Sequence, residues 1–285
     1  MLKNFYYDNT MMIKRNAPVS VVIPCYCCAE TIARAVGSII KQTVSPVEIF
    51  LVEDASPDNG ETLKQLYLLE KEYSRFIHIE IIALDLNMGP SAARNKGWRR
   101  ATQKYIAFLD ADDSWDCEKV NIQYEYMSQN PGIVLSGHLC RAPGDLTHQS
   151  LDSFYSNPSV TFLNKKSVLL RNPFSTPSVM LKKDVSFRFA EDKKRAEDFL
   201  LWQEIICSGG EAVRLDCCLA SIHKARYGES GLSSQLWAME KAELDNYERL
   251  KKSGKISVGV SVILKFYSFM KYLKRCVKVW LTSGE

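Results

Sequence analysis

Short apolar segments alternate with amphipathic ones over the first 110 residues, and this alternation constrains the fold more than any other feature of the sequence. Four runs rich in β-branched residues predict strands that are buried on both faces: "VSVVIPCY", "VEIFLVED", "IHIEIIALD" and "YIAFLD". The segments between them, "AETIARAVGSIIKQT", "ETLKQLYLLEKEY" and "AARNKGWRRA", are predicted helices. Strands joined by helices predict an α/β fold, with a mostly parallel central sheet and helices on both faces.

Polar residues collect where three of these strands end, in "CYCCAE", "EDASPDNG" and "DADDSWD". Parallel sheets bind ligands at the carboxyl ends of their strands, so we expect a binding site along this edge. The last stretch brings four carboxylates together, those of Asp110, Asp112, Asp113 and Asp116. Like charges at this spacing require a cation, a set of hydrogen-bond donors or open water.

The second half of the chain is less regular. A predicted helix over "EKVNIQYEYMSQ" is ended by Pro131 and Gly132, and "AEDFLLWQEIICSGG" is a second helix with Gly209 near its C-terminal cap. We predict strands at "IVLSG", "TPSVMLKK" and "EAVRLDCCLA", whereas residues 140–160 fit no single pattern.

The bulk composition argues against several classes of protein. A length of 285 residues, with 46% hydrophobic and 25% charged residues, fits one soluble globular domain with an extension. The net charge of +4 is too small to predict nucleic-acid binding. Nine cysteines, an odd number, and no apolar signal-peptide core at the N-terminus predict reduced thiols in the cytoplasm. Cys25 and Cys28 have no second pair to complete a zinc site.

Five motifs resemble those of the inverting family-two glycosyltransferases in order and spacing. They are "VSVVIPCY", "FLVEDASPDN", "LNMGPSAARNKGW", "YIAFLDADDSW" and "AEDFLLW". The resemblance covers about residues 18–235 and implies a GT-A fold of the bacterial surface-polysaccharide type. It implies an enzyme that moves a sugar, with inversion, from a nucleotide-diphosphate donor, expected to be a UDP-sugar, to a hydroxyl of a glycan acceptor.

The resemblance also divides the chain into parts. Residues 18–138 form the half that binds the nucleotide-sugar, and residues 139–235 form the half that holds the acceptor and the catalytic base. Residues 1–17 are an N-terminal extension, and residues 236–285 are a helical tail. The implied cofactor is a divalent metal, Mn²⁺ or Mg²⁺, because both ions take oxygen ligands and a cation stabilises the departing diphosphate.

In the acidic cluster, the resemblance places Asp110 beside the nucleoside, Asp112 on the metal and Asp113 near the sugar. A structural role is the alternative, since Asp113 and Asp116 precede a predicted helix and can cap it; for Asp116 we favour this interpretation. Arg94 is also placed by the donor, where its planar guanidinium suits an oxygen-rich ligand. An ion pair of Arg94 with Asp110 or Asp112 is an alternative, and the two roles are compatible.

Pro24, Tyr26 and Asp54 match donor-binding positions of the family. Asp54 stands where the family has the acid that recognises the base, and a carboxylate can accept a hydrogen bond from a uracil N–H, which favours a uridine donor. Tyr26 is expected to line the base pocket or, alternatively, to fill the core at the strand end. Cys27 departs from the family pattern, because an Asn usually shapes the loop there, and its loss puts the rigidity of the loop in doubt.

Asp198 matches the general base of the family, which takes the proton from the acceptor hydroxyl. Glu197 is expected to support the geometry of the acceptor or of the loop. The helix dipole also favours acids at a helix start, but that alternative does not explain the match in spacing. His223 resembles a C-terminal His that some related enzymes use near the metal or diphosphate; a surface His is the alternative. Arg226 shares this loop, a predicted lid over the acceptor.

The tail has the pattern of a basic amphipathic helix. From Arg249 to Gly284 there are nine Lys or Arg and no Asp or Glu. One predicted stripe is apolar and the opposite side is basic: Val262, Phe266, Phe269, Leu273, Val277 and Trp280 against Lys271, Lys274, Arg275 and Lys278. This pattern predicts a peripheral helix at the inner face of the membrane, near a lipid-linked acceptor. The alternatives are a packed helix with a solvated Lys face and a subunit interface, as in a dimer.

Two other functions fit the sequence less well. A nucleotidyltransferase with a similar sheet needs a Gly-rich, Arg-containing signature after the first strand, and "PCYCCAE" has none. A non-catalytic member of the same fold, which only binds a glycan or a partner, has no need of Asp110, Asp112 and Asp198, and all three are present.

Overall fold

The first half of the chain forms four parallel strands. The computed structural model describes residues 15–143, 159–223 and 236–282, with side chains described as far as residue 277. The strands lie side by side in the order β3-β2-β1-β4, which places the ends of β1, β2 and β4 at one edge. Their bounds are β1 Asn16–Cys25, β2 Ser45–Glu53, β3 His78–Ala83 and β4 Tyr105–Phe108.

Helices cover both faces of this sheet, as the sequence predicts. One apolar core packs beneath α1, α2 and α4, and a second core packs beneath α3 and α6 on the opposite face. The bounds are α1 Ile32–Ile40, α2 Glu61–Tyr73, α3 Pro90–Arg100, α4 Lys119–Gln129, α5 Lys165–Leu170 and α6 Glu197–Cys207. Gly97 lets α3 approach β1 closely, because a Cβ at this position would lie 2.5 Å from Cγ1 of Val22.

The second half of the chain extends the sheet in the order β4-β8-β6-β9-β5, and β7 pairs with β9. β8 runs antiparallel to both neighbours, whereas β6 and β9 are parallel, so the sheet remains mostly parallel as predicted. The bounds are β5 Ser114–Trp115, β6 Ile133–Arg141, β7 Val160–Leu163, β8 Met180–Lys182 and β9 Glu211–Ser221.

Two details differ from the sequence prediction. The strand predicted over residues 176–183 is shorter, because Thr176–Ser178 form a turn of 3₁₀-helix around Pro177, which has no N–H to give to a sheet. Residues 140–160, which fit no pattern, contain the ends of β6 and β7; residues 144–158 lie outside the described part. Gly209 ends α6 in the left-handed conformation, as predicted.

The tail is a hairpin of two packed helices, α7 Leu236–Lys252 and α8 Val258–Thr282. Gly254 turns the chain in the left-handed conformation, and the N–H of Lys255 donates to the carbonyl of Leu250 in a Schellman motif. Buried side chains, including those of Tyr247 and Leu264, anchor the hairpin to α5 and α6. No helix in the described part of the chain is long and apolar enough to cross a membrane.

The polar side of α8 faces α7. Lys265 pairs with Glu248 at 2.7 Å, Lys271 with Glu243 at 2.7 Å and Arg275 with Glu240 at 3.2 Å. The apolar side of α8 therefore points away from the protein, and we refer to it as the outer face. Its exposed residues are Val262, Ile263, Phe266, Phe269, Met270, Leu273 and Val277. The packed-helix alternative predicted a basic side that faces solvent. Lys271 and Arg275 instead pair with α7, although Lys274 is exposed.

Candidate active site

The loop after β2 is organised by two buried acids. The two carboxylate oxygens of Asp54 accept hydrogen bonds from the N–H groups of Met88 and Gly89, both at 2.8 Å. Gly89 has φ +86°, and α3 begins at the next residue. Glu53 accepts from the N–H groups of residues 55 and 56 in the same way. Asp54, predicted to recognise the base, therefore holds the loop that begins α3.

The loop after β1 has a left-handed residue at Cys27, with φ +47°. Its N–H donates to Oγ of Ser56 at 2.9 Å, which ties the first loop to the second. An Asn tolerates this conformation better than other side chains, which explains why the family pattern favours Asn here. Tyr26 is 49% exposed, so it does not fill the core, and Pro24 lies half-buried at the end of β1.

Arg94 joins the two halves of the site. Its buried guanidinium donates to Asp110 at 2.8 Å and to Glu197 at 3.2 Å, and it lies 5.3 Å from the ring centroid of Phe189. Burial alone lowers the pKa of Arg94, but the carboxylates of Asp110 and Glu197 outweigh it and raise the pKa. The ion pair with Asp110 that the sequence allowed is present, and the pair with Glu197 is an addition.

Asp198 lies at the first turn of α6, just after the left-handed residue Ala196. One carboxylate oxygen accepts from the N–H of Phe199 at 2.6 Å, and the other accepts weakly from the hydroxyl of Thr176 at 3.3 Å. Burial, followed by the charge of Glu197, raises the pKa of Asp198 to about 6. A carboxylate with this pKa is mostly ionised at neutral pH and still has useful proton affinity, which suits a general base.

The acidic cluster is tied to the end of β9. The buried carboxylate of Asp113 accepts from the backbone N–H of His223 at 3.1 Å, and the His223 ring lies 2.8 Å from Oγ of Ser114. Partial burial and nearby Arg34 lower the pKa of His223, while Asp112 opposes them. His223 is exposed beside the cluster, and Arg226 lies outside the described residues.

Asp116 has a structural contact. Its carboxylate accepts from the N–H of Glu118 at 3.0 Å in the turn that begins α4. This geometry fits the helix-start role that the sequence favours for Asp116.

Most of the predicted site acids line a cavity of about 460 Å³. Asp110, Asp112, Asp113 and Asp198 all line it, and we call these four residues the carboxylate wall. Arg171, Lys271 and Arg275 also line the cavity, and we call them the basic wall. The sequence did not predict the basic wall, because its members come from α8 and from the residue that follows α5. Thr176 was also missed, since the sequence assigned it to a strand.

The carboxylate wall offers oxygen ligands to a divalent cation. In the described part of the chain, no three His, Cys, Asp or Glu side chains form a ready-made metal cage. Mg²⁺ usually takes only one or two protein carboxylates together with substrate phosphates, and Mn²⁺ accepts the same ligand types. The half-buried carboxylate of Asp112 on this wall fits a cation whose remaining ligands belong to a diphosphate.

Comparison with known proteins decides the family. The family model for glycosyl transferase family 2 matches residues 20–188, more than half of the chain. The chain belongs to glycosyl transferase family 2. The matched range includes the acidic cluster and Arg94, whereas Asp198 and the α7–α8 hairpin lie beyond it.

This family 2 chain is similar to proteins of surface-polysaccharide synthesis. It is 27% identical to TuaG of Bacillus subtilis (strain 168), named for teichuronic acid biosynthesis, over 91% of this chain and 96% of that protein. It is 26% identical to the Escherichia coli UDP-Glc:α-D-GlcNAc-diphosphoundecaprenol β-1,3-glucosyltransferase WfgD, over 80% of this chain and 84% of that protein.

A solved structure confirms the GT-A fold. The mannosyltransferase PcManGT from Pyrobaculum calidifontis, in complex with GDP-Man and Mn²⁺, superposes with a TM-score of 0.66 at 16% identity. The match covers 94% of this chain and 79% of PcManGT. At this identity, the likeness concerns the fold.

Proposed function

We propose that this family 2 glycosyltransferase moves a sugar with inversion from a UDP-sugar to a hydroxyl of a glycan acceptor, with Asp198 as the general base. The observation that carries the proposal is the cavity, which Asp198 lines together with Asp110, Asp112 and Asp113. A base beside a cluster that suits a metal-bound diphosphate is what an in-line displacement requires.

The reaction needs one proton transfer and one exchange of bonds. The acceptor oxygen forms a bond to the anomeric carbon while the bond from that carbon to the diphosphate breaks, and the leaving diphosphate keeps the electron pair. The hydroxyl proton passes to Asp198, at the oxygen that has only the weak bond from Thr176 among its described contacts. Attack from the face opposite the leaving group inverts the anomeric centre.

Several residues would position the donor. Asp112 would bind the Mn²⁺ or Mg²⁺ ion, with His223 nearby; when bound, the ion neutralises charge on the leaving diphosphate. Arg94 holds Asp110 and Glu197, so it fixes the donor side relative to the base. Pro24, Tyr26 and the loop held by Asp54 would form the nucleoside pocket, and Asp113 would lie near the sugar. WfgD is named as an enzyme that uses UDP-Glc, which supports a uridine donor, and the PcManGT complex supports Mn²⁺.

We place the acceptor on a lipid carrier at the inner face of the membrane. The acceptor in the name of WfgD is linked to diphosphoundecaprenol. The outer face of α8 offers a continuous apolar surface to the bilayer, with Phe266 67% exposed. Burial of such side chains in the acyl region stabilises peripheral binding without a spanning helix.

The base assignment is tested with Asp198→Asn, which keeps the shape of the side chain and removes its proton affinity. We expect transfer to fall about 10²- to 10⁴-fold, while UDP with Mn²⁺ still raises the melting temperature. Asp184→Asn is the matched control, because Asp184 is exposed and outside the cavity lining among the described residues. Unchanged turnover in Asp198→Asn would falsify the assignment. The donor itself is identified by a screen of nucleotide-sugars for Mn²⁺-dependent protection and hydrolysis.

A further inference from the structure

Ion pairs with α7 hold the basic wall in place beside the cavity. α7 holds two of its three members: Lys271 donates to Glu243 at 2.7 Å and to the carbonyl of Leu170 at 3.3 Å, and Arg275 pairs with Glu240 at 3.2 Å. Glu240 is fully buried, so its carboxylate cannot turn to solvent and holds Arg275 in place. Glu243 holds Lys271 in the same way. The cations therefore face the cavity in a defined place.

The wall retains donors and positive charge after these pairs are made. In the described contacts, Arg275 reaches both glutamates through one terminal nitrogen, Nη2, and its buried Nε has no partner. Arg171 makes no ion pair in the part of the chain that the structure describes, and its side chain is exposed. Three cations against two glutamates leave this wall positive. An oxygen-rich anion suits such a wall, because a guanidinium can bind phosphate through two N–H groups.

In the proposed mechanism, a metal held by Asp112 would neutralise the diphosphate of the donor, which leaves the basic wall available to a second anion. The same helix that carries Lys271 and Arg275 inward carries Phe269, Leu273 and Val277 outward. A ligand that spans both sides of α8 must combine phosphate with an apolar chain. We propose that the basic wall is a subsite for the phosphate of the acceptor, a glycan linked to a polyprenyl diphosphate, whose lipid lies along the outer face of α8. This inference rests on the proposed function and names its acceptor class.

The test measures the binding of farnesyl diphosphate to the full chain while UDP and Mn²⁺ saturate the donor site. We expect Arg171→Gln and Lys271→Gln each to raise the Kd about tenfold or more, because each removes a charged phosphate contact. Lys274→Gln is the matched control: it makes the same charge change three residues from Lys271 on an exposed side of α8. We expect it to change the Kd less than about twofold.

Two further probes separate the sources of phosphate and lipid. Farnesol, which lacks phosphate, should bind at least tenfold more weakly than farnesyl diphosphate. Vesicles of phosphatidylglycerol test the bulk headgroup. If Lys274→Gln weakens farnesyl diphosphate binding as much as Lys271→Gln does, or if the vesicles displace farnesyl diphosphate from the protein, the wall is part of a general cationic surface and the proposal is wrong. Equal binding of farnesol and farnesyl diphosphate would also overturn it.

Folding and donor binding are measured in parallel. Lys271→Gln breaks an ion pair, so its melting temperature is compared with that of the wild type; Arg171→Gln breaks none among the described residues and keeps the test decisive. Failure of the proposed function has a different signature. In that case, UDP with Mn²⁺ would not bind the wild-type chain, whereas farnesyl diphosphate would still discriminate between Lys271→Gln and Lys274→Gln.

Discussion

Three acids of the carboxylate wall follow a strand at the edge of the sheet and the fourth, Asp198, begins α6, whereas two cations of the basic wall belong to a packed helix hairpin. Different interactions hold the two walls. Backbone N–H groups fix several of these acids: Asp54 and Asp113 at the sheet edge, and Asp198 at the start of α6. Side-chain ion pairs fix the cations of the hairpin, as at Lys271 and Arg275. In a contact with the backbone, only the acceptor is a side chain, because the donor is a backbone N–H that the fold supplies whatever residue carries it. A wall built from side-chain pairs can change with a few substitutions, which would suit the acceptor subsite that we propose.

Arg94 is an exception to this difference between the two walls, because its side chain forms ion pairs with acids beside the sheet edge. Arg94→Met should lower the free energy of unfolding by about 3–5 kcal/mol, since it leaves the carboxylates of Asp110 and Glu197 close together without their buried cation. Arg99→Met on the same helix is the control: its pair with Glu191 is exposed and should be worth less than about 1 kcal/mol. Urea denaturation measures both variants, and equal losses would contradict the central role of Arg94.

The outer face of α8 sharpens the comparison, because its side chains are exposed and we expect them to contribute to membrane binding rather than to folding. Phe266→Gln should leave the melting temperature unchanged, since Phe266 is exposed, and should weaken binding to anionic vesicles by about tenfold or more. Leu264→Gln, two residues earlier and buried, should instead destabilise the hairpin. Vesicle sedimentation and thermal melting give the two readouts. A fall in melting temperature for Phe266→Gln would show that this face packs against protein.

The pH dependence of transfer tests the Asp198 end of the carboxylate wall without a mutation. The pKa of Asp198 is raised to about 6, so the base binds its proton below that pH and the rate should fall there. Between pH 7 and pH 5 we expect kcat/KM to fall about tenfold if this single group controls it. Glu197→Gln should move the inflection to lower pH, because the charge of Glu197 is the second cause of the raised pKa. An inflection that stays near 6 would assign it to another group.

Cys27→Asn should have the smallest effect. The left-handed conformation of Cys27 suits Asn better, so we expect a gain of up to about 1 kcal/mol in the free energy of unfolding. Cys117→Asn is the control, because Cys117 is also exposed and is not among the residues with positive φ. Equal gains in both variants would mean that removal of a thiol, rather than the loop conformation, causes the effect.

The sequence predicted the sheet edge far better than the hairpin. The strands, Asp110 and the Arg94–Asp110 pair follow from local patterns and a short separation along the chain. The pair of Arg94 with Glu197 joins residues 103 positions apart, and no local pattern reports it. For α8, helical periodicity separates an apolar side from a basic side but does not say which side packs inward. The acids of α7 decide this, since Glu240, Glu243 and Glu248 attract the basic side.

Arg94 lies between Asp110 and Glu197, so the charge near Asp110 and the proton affinity of Asp198 depend on each other. The charges of both Arg94 and Asp110 act on the pKa of Asp198, in opposite directions. A cation that binds beside Asp110 offsets its negative charge, which lowers the proton affinity of Asp198 and leaves the base more fully ionised. By thermodynamic reciprocity, a proton on Asp198 must weaken the binding of that cation by the same factor. Under the proposed mechanism, binding of the donor complex would therefore ionise Asp198 more fully, with no movement of the backbone required.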